Sequence, residues 1–555
     1  MESRNKNELY QVQLKVLFLV GVTGSLLAAC GGGSGGSTET GVTVTVTPTD
    51  ATTDVALDST VTATFSEDMF ATTIDASSFT LSGGSNVSGS VAFDALTNVA
   101  TFTPSSTLEL ITTYTASLSN VITDLPGNPI TAMNWSFTTR DGVWRTPELV
   151  ETDDSGRAKS PQLAFDGNGN AFAVWQQSDG TRFNIWSNRY AAGTGWGTPV
   201  LLENMDSTGD YQPQLAVDAN GNAMVVWWQN SGTFEHIWAN YYTVGSGWGT
   251  AVQIDDNSNA YSYGPQVAFD SNGNALAVWS QATTTSSIWA NRFIPGTGWG
   301  APALIESSNE NALGPNLAVD SQGNAVAIWY QDDGTYRNIW ANHYTPGSGW
   351  VIPQLIENNS SGNAFNSDVA FDNNGNAIAL WSQTDGTQFD IWANRYTAGS
   401  GWGEPVLVEN ENLGDADSAK LAFDANNNAI AVWRQSSGTR YSIKANRYTA
   451  STGWGNAVSI EVDNSGDAVD PKIAIDAKGN ALAVWHMDDG QKNNVWANRY
   501  INAPGQGWGD EVRITTTNTT HATDAHIAFD HQGNALSVWI EGSGIIDNLW
   551  ANRFD

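Results

Sequence analysis

The sequence predicts an all-β chain in two folded parts, an N-terminal β-sandwich followed by an eight-bladed β-propeller of four-stranded blades. Three observations predict it. The composition, with 55 glycines and abundant Thr, Asn and Val, favours strands and turns over helices. Short runs of alternating character fill residues 42–139. Beyond them the chain is self-similar, with a motif returning every 50 to 54 residues. At 555 residues, 40% hydrophobic and 14% charged, the chain is globular in composition and long enough for several cores.

A formal net charge of −34 argues against nucleic acid as a partner and against attraction to an anionic membrane surface, because both are polyanions. The same charge keeps an exported protein soluble, so no cation site is read from it. One cysteine in the whole chain rules out an intramolecular disulfide.

Residues 1–29 have the pattern of a lipoprotein signal peptide. Arg4, Lys6 and Lys15 precede an apolar run from Val16 to Val22 that is too short to span a bilayer. Leu27-Ala28-Ala29-Cys30 resembles a lipobox. The resemblance implies cleavage before Cys30, a diacylglyceryl group on its thiol and acylation of the new N-terminus, enough chains for stable anchoring. Residues 30–41 then form the lipidated cysteine and a Gly/Ser tether. In similar Gram-negative lipoproteins an Asp after the cysteine is linked to inner-membrane retention. Gly31 at that place implies an exported chain, lipid-anchored to the bacterial cell envelope at the outer membrane.

Residues 42–140 form the sandwich, about one hundred residues as expected of such a domain. Pro48-Thr49-Asp50, Phe65-Ser66-Glu67-Asp68-Met69, Ser78-Phe79-Thr80-Leu81, Asp124-Leu125-Pro126-Gly127-Asn128 and Trp135-Ser136-Phe137-Thr138-Thr139 mark it. In these landmarks the segment resembles the bacterial Ig-like family of surface-layer proteins. The resemblance implies a spacer or adhesive module without catalytic residues. Glu67, Asp68 and Asp124 are read as turn caps.

Residues 141–555 hold eight repeats. Asp166-Gly167-Asn168-Gly169-Asn170-Ala171 through Trp175 recurs from Asp218, Asp270, Asp320, Asp372, Asp424, Asp476 and Asp530. An Ile-Trp-Ala-Asn-Arg-Tyr-like stretch follows each, and in all but the last a Gly-Trp-Gly-like turn comes next. The period holds four strands, in the first repeat Pro161–Phe165, Ala171–Trp175, Asn184–Tyr190 and Gly197–Leu202, the first innermost. By this phasing the last blade is closed by strand 144–151 together with strands from 526–554. Of 25 tryptophans, 23 fall at three repeat positions, the regularity expected of packing between blades.

The Asp-x-Asn-Gly-Asn hairpin resembles part of a calcium loop, which makes Asp166, Asp218, Asp270 and Asp372 weak calcium candidates. In these four repeats no bidentate Glu arrives at the twelfth position, and a capped turn with Gly in the left-handed position explains the pattern. No cofactor and no metal are therefore assigned. Arg189, Arg292, Arg395, Arg447, Arg499 and Arg553 occupy one repeat position. Arginines in a propeller resemble sialidases, which gather an arginine cluster, a Tyr nucleophile and acids on the axis. Here each arginine sits on its own blade, placed to pair with the hairpin Asp, so no catalytic constellation is assigned and the chain is read as a non-enzyme. His521, His526 and His531 lack ligand spacing.

The hairpins and Gly-Trp turns share one face of the ring and vary little. The opposite face carries the variable loops, and ligand-binding candidates are taken from it: Arg182, Phe183, Tyr211, Phe234, His236, Tyr261, Tyr263, Tyr336, Arg337, Arg440 and Tyr441. Seven of eight loops entering the inner strands also begin with an acid, among them Glu151, Asp255 and Glu461. The expected function is ligand binding at the cell envelope, with glycan or polysaccharide recognition or adhesion first. A protein-interaction scaffold with a surface-protein partner is the alternative, and a glycosidase or lyase the third reading.

Overall fold

A computed structural model describes residues 41–152, 156–203, 209–256, 259–358, 362–410, 414–463, 465–515 and 520–555. The expected signal peptide, Cys30 and the tether to residue 40 lie outside them.

The N-terminal domain is a sandwich of β1 (Val44–Thr47), β2 (Thr52–Val55), β3 (Val61–Phe65), β4 (Phe79–Ser82), β5 (Gly89–Asp94), β6 (Val99–Pro104), β7 (Thr113–Leu118) and β8 (Met133–Thr139). One sheet runs β1-β3-β6-β5 and the other β2-β8-β7-β4. Alternation along the strands sends Phe65, Phe79, Phe102, Trp135 and Phe137 into a common core. Asp124 caps its turn as expected, accepting from the Asn128 backbone N–H at 2.6 Å and its side-chain amide at 2.9 Å.

The repeats form eight antiparallel sheets of four or five strands. After β9 (Glu148–Leu149), the first repeat supplies β10 (Ala158–Phe165), β11 (Ala171–Ser178), β12 (Phe183–Ala191), β13 (Gly195–Trp196) and β14 (Val200–Leu201). The last repeat supplies three strands, and β9 pairs with its Asp547–Phe554 strand through Leu149 opposite Trp550. Both ends of the repeat region thus share one sheet.

The first strands of successive repeats lie side by side, and that of the eighth lies beside β10. Apolar cores sit between neighbouring sheets. Trp227 packs on Val174 and Ile185 of the sheet before it, and Trp175 packs on Leu536, Val538 and Leu549 of the eighth. Trp175, Trp227, Trp279, Trp329, Trp381, Trp433, Trp485 and Trp539 are all fully buried, so this position serves packing.

The Asn of the Ile-Trp-Ala-Asn stretch ties sheet to sheet. Asn240 Nδ2 donates to the Leu202 carbonyl of the preceding repeat at 2.9 Å and to the Gly249 carbonyl of its own at 3.2 Å. Asn188 reaches Val150, next to β9, in the same way at 2.8 Å.

Two sequence expectations change. The first strands are longer than Pro161–Phe165 suggests, and they are bulged and polar in the middle. In all eight the register shifts at one place, as between Lys159 and Gln162. The bulge residue has positive φ each time: Ser160, Gln212, Gly264, Gly314, Asn366, Ser418, Asp470 and Asp524. The loop acids are not surface groups either. Glu151, Glu203, Glu306, Glu357, Glu409 and Glu461 are buried, and Glu203 accepts the Ile185 backbone N–H at 2.9 Å.

The sandwich docks on the hairpin side of repeats 7 and 8. Lys478, in the seventh hairpin, donates to the Leu110 carbonyl at 3.0 Å and pairs with Glu109 at 2.8 Å. Leu110 is buried in the core formed by those repeats, with Leu57 and Ile111 packed beside it. Arg499 pairs with Asp141 at 3.4 Å. Among the described residues the variable side is left free of the sandwich.

Candidate functional site

The hairpin side is occupied by its own bonds. Asp166 Oδ1 accepts the backbone N–H groups of Asn168 and Asn170 at 2.8 Å each, and Oδ2 accepts the Asn170 amide at 2.8 Å. Asp218, Asp270 and Asp372 repeat this pattern. Gly169 closes the turn at φ 78°, with Asn427 at φ 64° in the sixth repeat. Arg189 stands 3.8 Å from Asp166, and Arg292, Arg395, Arg447 and Arg499 face their own hairpin aspartates at 3.7 to 3.8 Å. The four weak calcium candidates therefore act as turn caps. Among the described residues no group of three or more acids, His or Cys is placed to hold a metal ion.

The variable side brings some candidates together. Phe183 meets Tyr211 of the next repeat at 5.9 Å, and Tyr211 stacks on Trp228 at 4.4 Å. Phe234 meets Tyr261 of the next repeat at 5.3 Å, with 47% of Tyr261 exposed. These contacts form two aromatic ridges at the junctions of repeats 1 to 3. Tyr263 is hydrogen-bonded to Ser286 at 2.8 Å. Tyr441 lies under the Arg434 guanidinium at 4.7 Å, and Arg337 lies over Tyr330 at 5.2 Å. Arg440 is exposed and Tyr336 half-buried, and neither joins a ridge. Arg182 pairs with Asp179 within its own turn at 3.3 Å. His236 points inward, buried, with Nδ1 3.1 Å from Asp255 Oδ2.

Sequence reading missed the cavity that the eight first strands enclose. Two adjoining lobes of about 420 and 330 Å³ share Gly264, Gln266, Asp470 and Lys472. Both are lined by the bulges and the residues just after them. Two places past each bulge stand Gln162, Gln214, Gln266, Asn316, Asp368, Lys420, Lys472 and His526, a column that changes from repeat to repeat. That change, inside strands otherwise alike, is the signal that was available. Lys420 pairs with Asp368 at 3.3 Å. Burial, and then the nearby Lys420, push the Lys472 ammonium below its ordinary pKa. Burial and the same two lysines push His526 down to about 3. The absence of converging unlike groups, expected from the repeat pattern, does not hold here: Asp470, Lys472, Asp524 and His526 line one lobe.

Comparison with known proteins places the sandwich in a class. Residues 38–139 match the family of bacterial Ig-like domains. No curated protein matches the chain. Among solved structures it is similar to a lectin from Burkholderia pseudomallei at 10% identity and TM-score 0.45, covering 66% of this chain and 100% of that one. A polysaccharide lyase described as an ulvan lyase follows at 10% identity and TM-score 0.42, over 74% of this chain and 93% of that one. A Hadza microbial sialidase aligns at 14% identity and TM-score 0.36, over 70% and 92%. With TM-scores below 0.5 and identities of 14% or less, none of them defines the function of this chain.

Proposed function

We propose that the chain is an outer-membrane lipoprotein, anchored through Cys30, whose Ig-like domain carries a closed eight-bladed β-propeller that binds glycans on its variable face without transforming them. Closure is supported by the cyclic adjacency of the first strands and by the bond from Asn188 to Val150. The aromatic ridges carry the glycan reading. Phe234 with the half-exposed Tyr261, and Phe183 with Tyr211 stacked on Trp228, present aromatic surface suited to the C–H faces of pyranose sugars. Docking of the sandwich on the hairpin side leaves the ridges on the opposite face.

A glycan array probed with residues 31–555, with and without calcium, tests this. The expected outcome is calcium-independent binding to one sugar class, lost in the Tyr211→Ala/Tyr261→Ala variant, with no cleavage of the bound glycan. Silence across the array removes the glycan reading. A scaffold role then takes first place, favoured by the exposed apolar residues along the outer strands, such as Leu201, Leu304, Leu407 and Val512.

A further inference from the structure

The cavity within the ring is built from eight similar strands but is not eightfold in its chemistry. Repeats 1 to 4 line it with neutral groups, while the charged residues belong to repeats 5 to 8: Asp368, Lys420, Asp470, Lys472 and Asp524. Two cations, Lys420 and Lys472, and three anions, Asp368, Asp470 and Asp524, mix both signs in that arc, and His526, at about 3, is neutral at ordinary pH. An ion of either sign entering the arc is attracted by some of these groups and repelled by the others. A neutral polyol meets no such conflict. Its hydroxyls donate to the carboxylates and accept from the ammonium groups, and a bond with one charged partner is roughly twice as strong as a neutral one.

Lys420 is paired with Asp368, and the other groups are more available. Lys472 makes no hydrogen bond or ion pair among the described residues. His526 Nδ1 is buried without a hydrogen-bond partner. Asp470 and Asp524 are exposed at their bulges with φ of 52° and 54°. The lobes fall in the roughly 300–1,000 Å³ range of small-molecule sites.

We propose that this arc is a single saccharide site per chain, holding one neutral sugar residue whose hydroxyls donate to Asp470 and Asp524 and whose oxygens accept from Lys420 and Lys472. It rests on the carbohydrate reading and deepens it, adding one internal, oriented site to the ridges. Charge on one side only fixes which way the sugar faces.

Isothermal titration of residues 31–555 tests it, using hexasaccharides of glucose, xylose, mannose and galactose and uronic-acid hexamers of equal length. The expected result is one equivalent of a neutral hexasaccharide per chain, bound about tenfold more weakly by Asp470→Asn and by Lys472→Met. Asn tolerates the left-handed bulge, and an unchanged melting temperature verifies both folds. Stoichiometry near eight, preference for the uronic hexamers, or unchanged affinity in both variants overturns the internal site and leaves glycan recognition standing. No binding of any probe, together with a silent array, overturns both.

Discussion

At the scale of single residues, the buried loop acids govern how stability responds to pH. Burial pushes Glu357 and Glu461 up to about 7, and burial with the neighbouring Asp390 pushes Glu409 up to about 8, from 4.5. A raised carboxyl contributes stability that is complete below about pH 4.5 and lost as pH rises through 7 to 8. Burial lowers His343, His486 and His526, whose contribution is present above about pH 6.5 and lost on acidification. The two trends cross, so calorimetry from pH 4 to 9 is expected to show a maximum melting temperature between about pH 4.5 and 6.5, with a shallower alkaline decline in Glu409→Gln. An equal decline in the variant contradicts the assignment. Asn394 gives a second expectation. Its amide satisfies the carbonyls of Ile356 and Gly403 at 2.8 and 3.0 Å, so Asn394→Ala is expected to cost about 1–3 kcal/mol in urea unfolding.

At the scale of elements, legibility followed the range of the interactions. The hairpins were readable because each bond of Asp166 closes within four residues. The asparagines were visible as a motif but not as ties, because Val150 lies 38 residues before Asn188 and meets it only through the packing of sheets. The bulges left no local mark: Ser160 and Gln212 have no turn signature, yet both take positive φ. Phe183, Tyr211, Phe234 and Tyr261 stand out in the variable loops of the sequence, but their pairing depends on which sheets are neighbours. The varying column from Gln162 to His526 becomes a cavity only when the strands converge. The bulges carry their own prediction. Asn366 has φ of 51°, where a β-branched side chain clashes, so Asn366→Val is expected to destabilise by roughly 1–2 kcal/mol while Asn366→Gly is neutral or stabilising. Equal stability of the two variants in urea contradicts the bulge.

At the scale of the whole molecule, the position of the Ig-like domain gives the ring a direction. Lys478 stands where other hairpins have Asn or Gln, and it is the residue that grips the sandwich. Lys478→Ala combined with Leu110→Ala is expected to free the sandwich, giving a separate unfolding transition and a larger radius of gyration in solution scattering, with the ring intact. A single unchanged transition and radius contradict the docking. The central claim is that ligand recognition belongs to the variable face and the cavity it surrounds, not to the regular hairpin face. Hydrogen–deuterium exchange of residues 31–555 with the strongest array glycan tests it most directly. The predicted result is protection at the bulges and in residues 183–184, 209–214, 234–236 and 261–266, with the Asp-Asn-Gly hairpins unchanged; protection confined to the hairpins and Gly-Trp turns contradicts it.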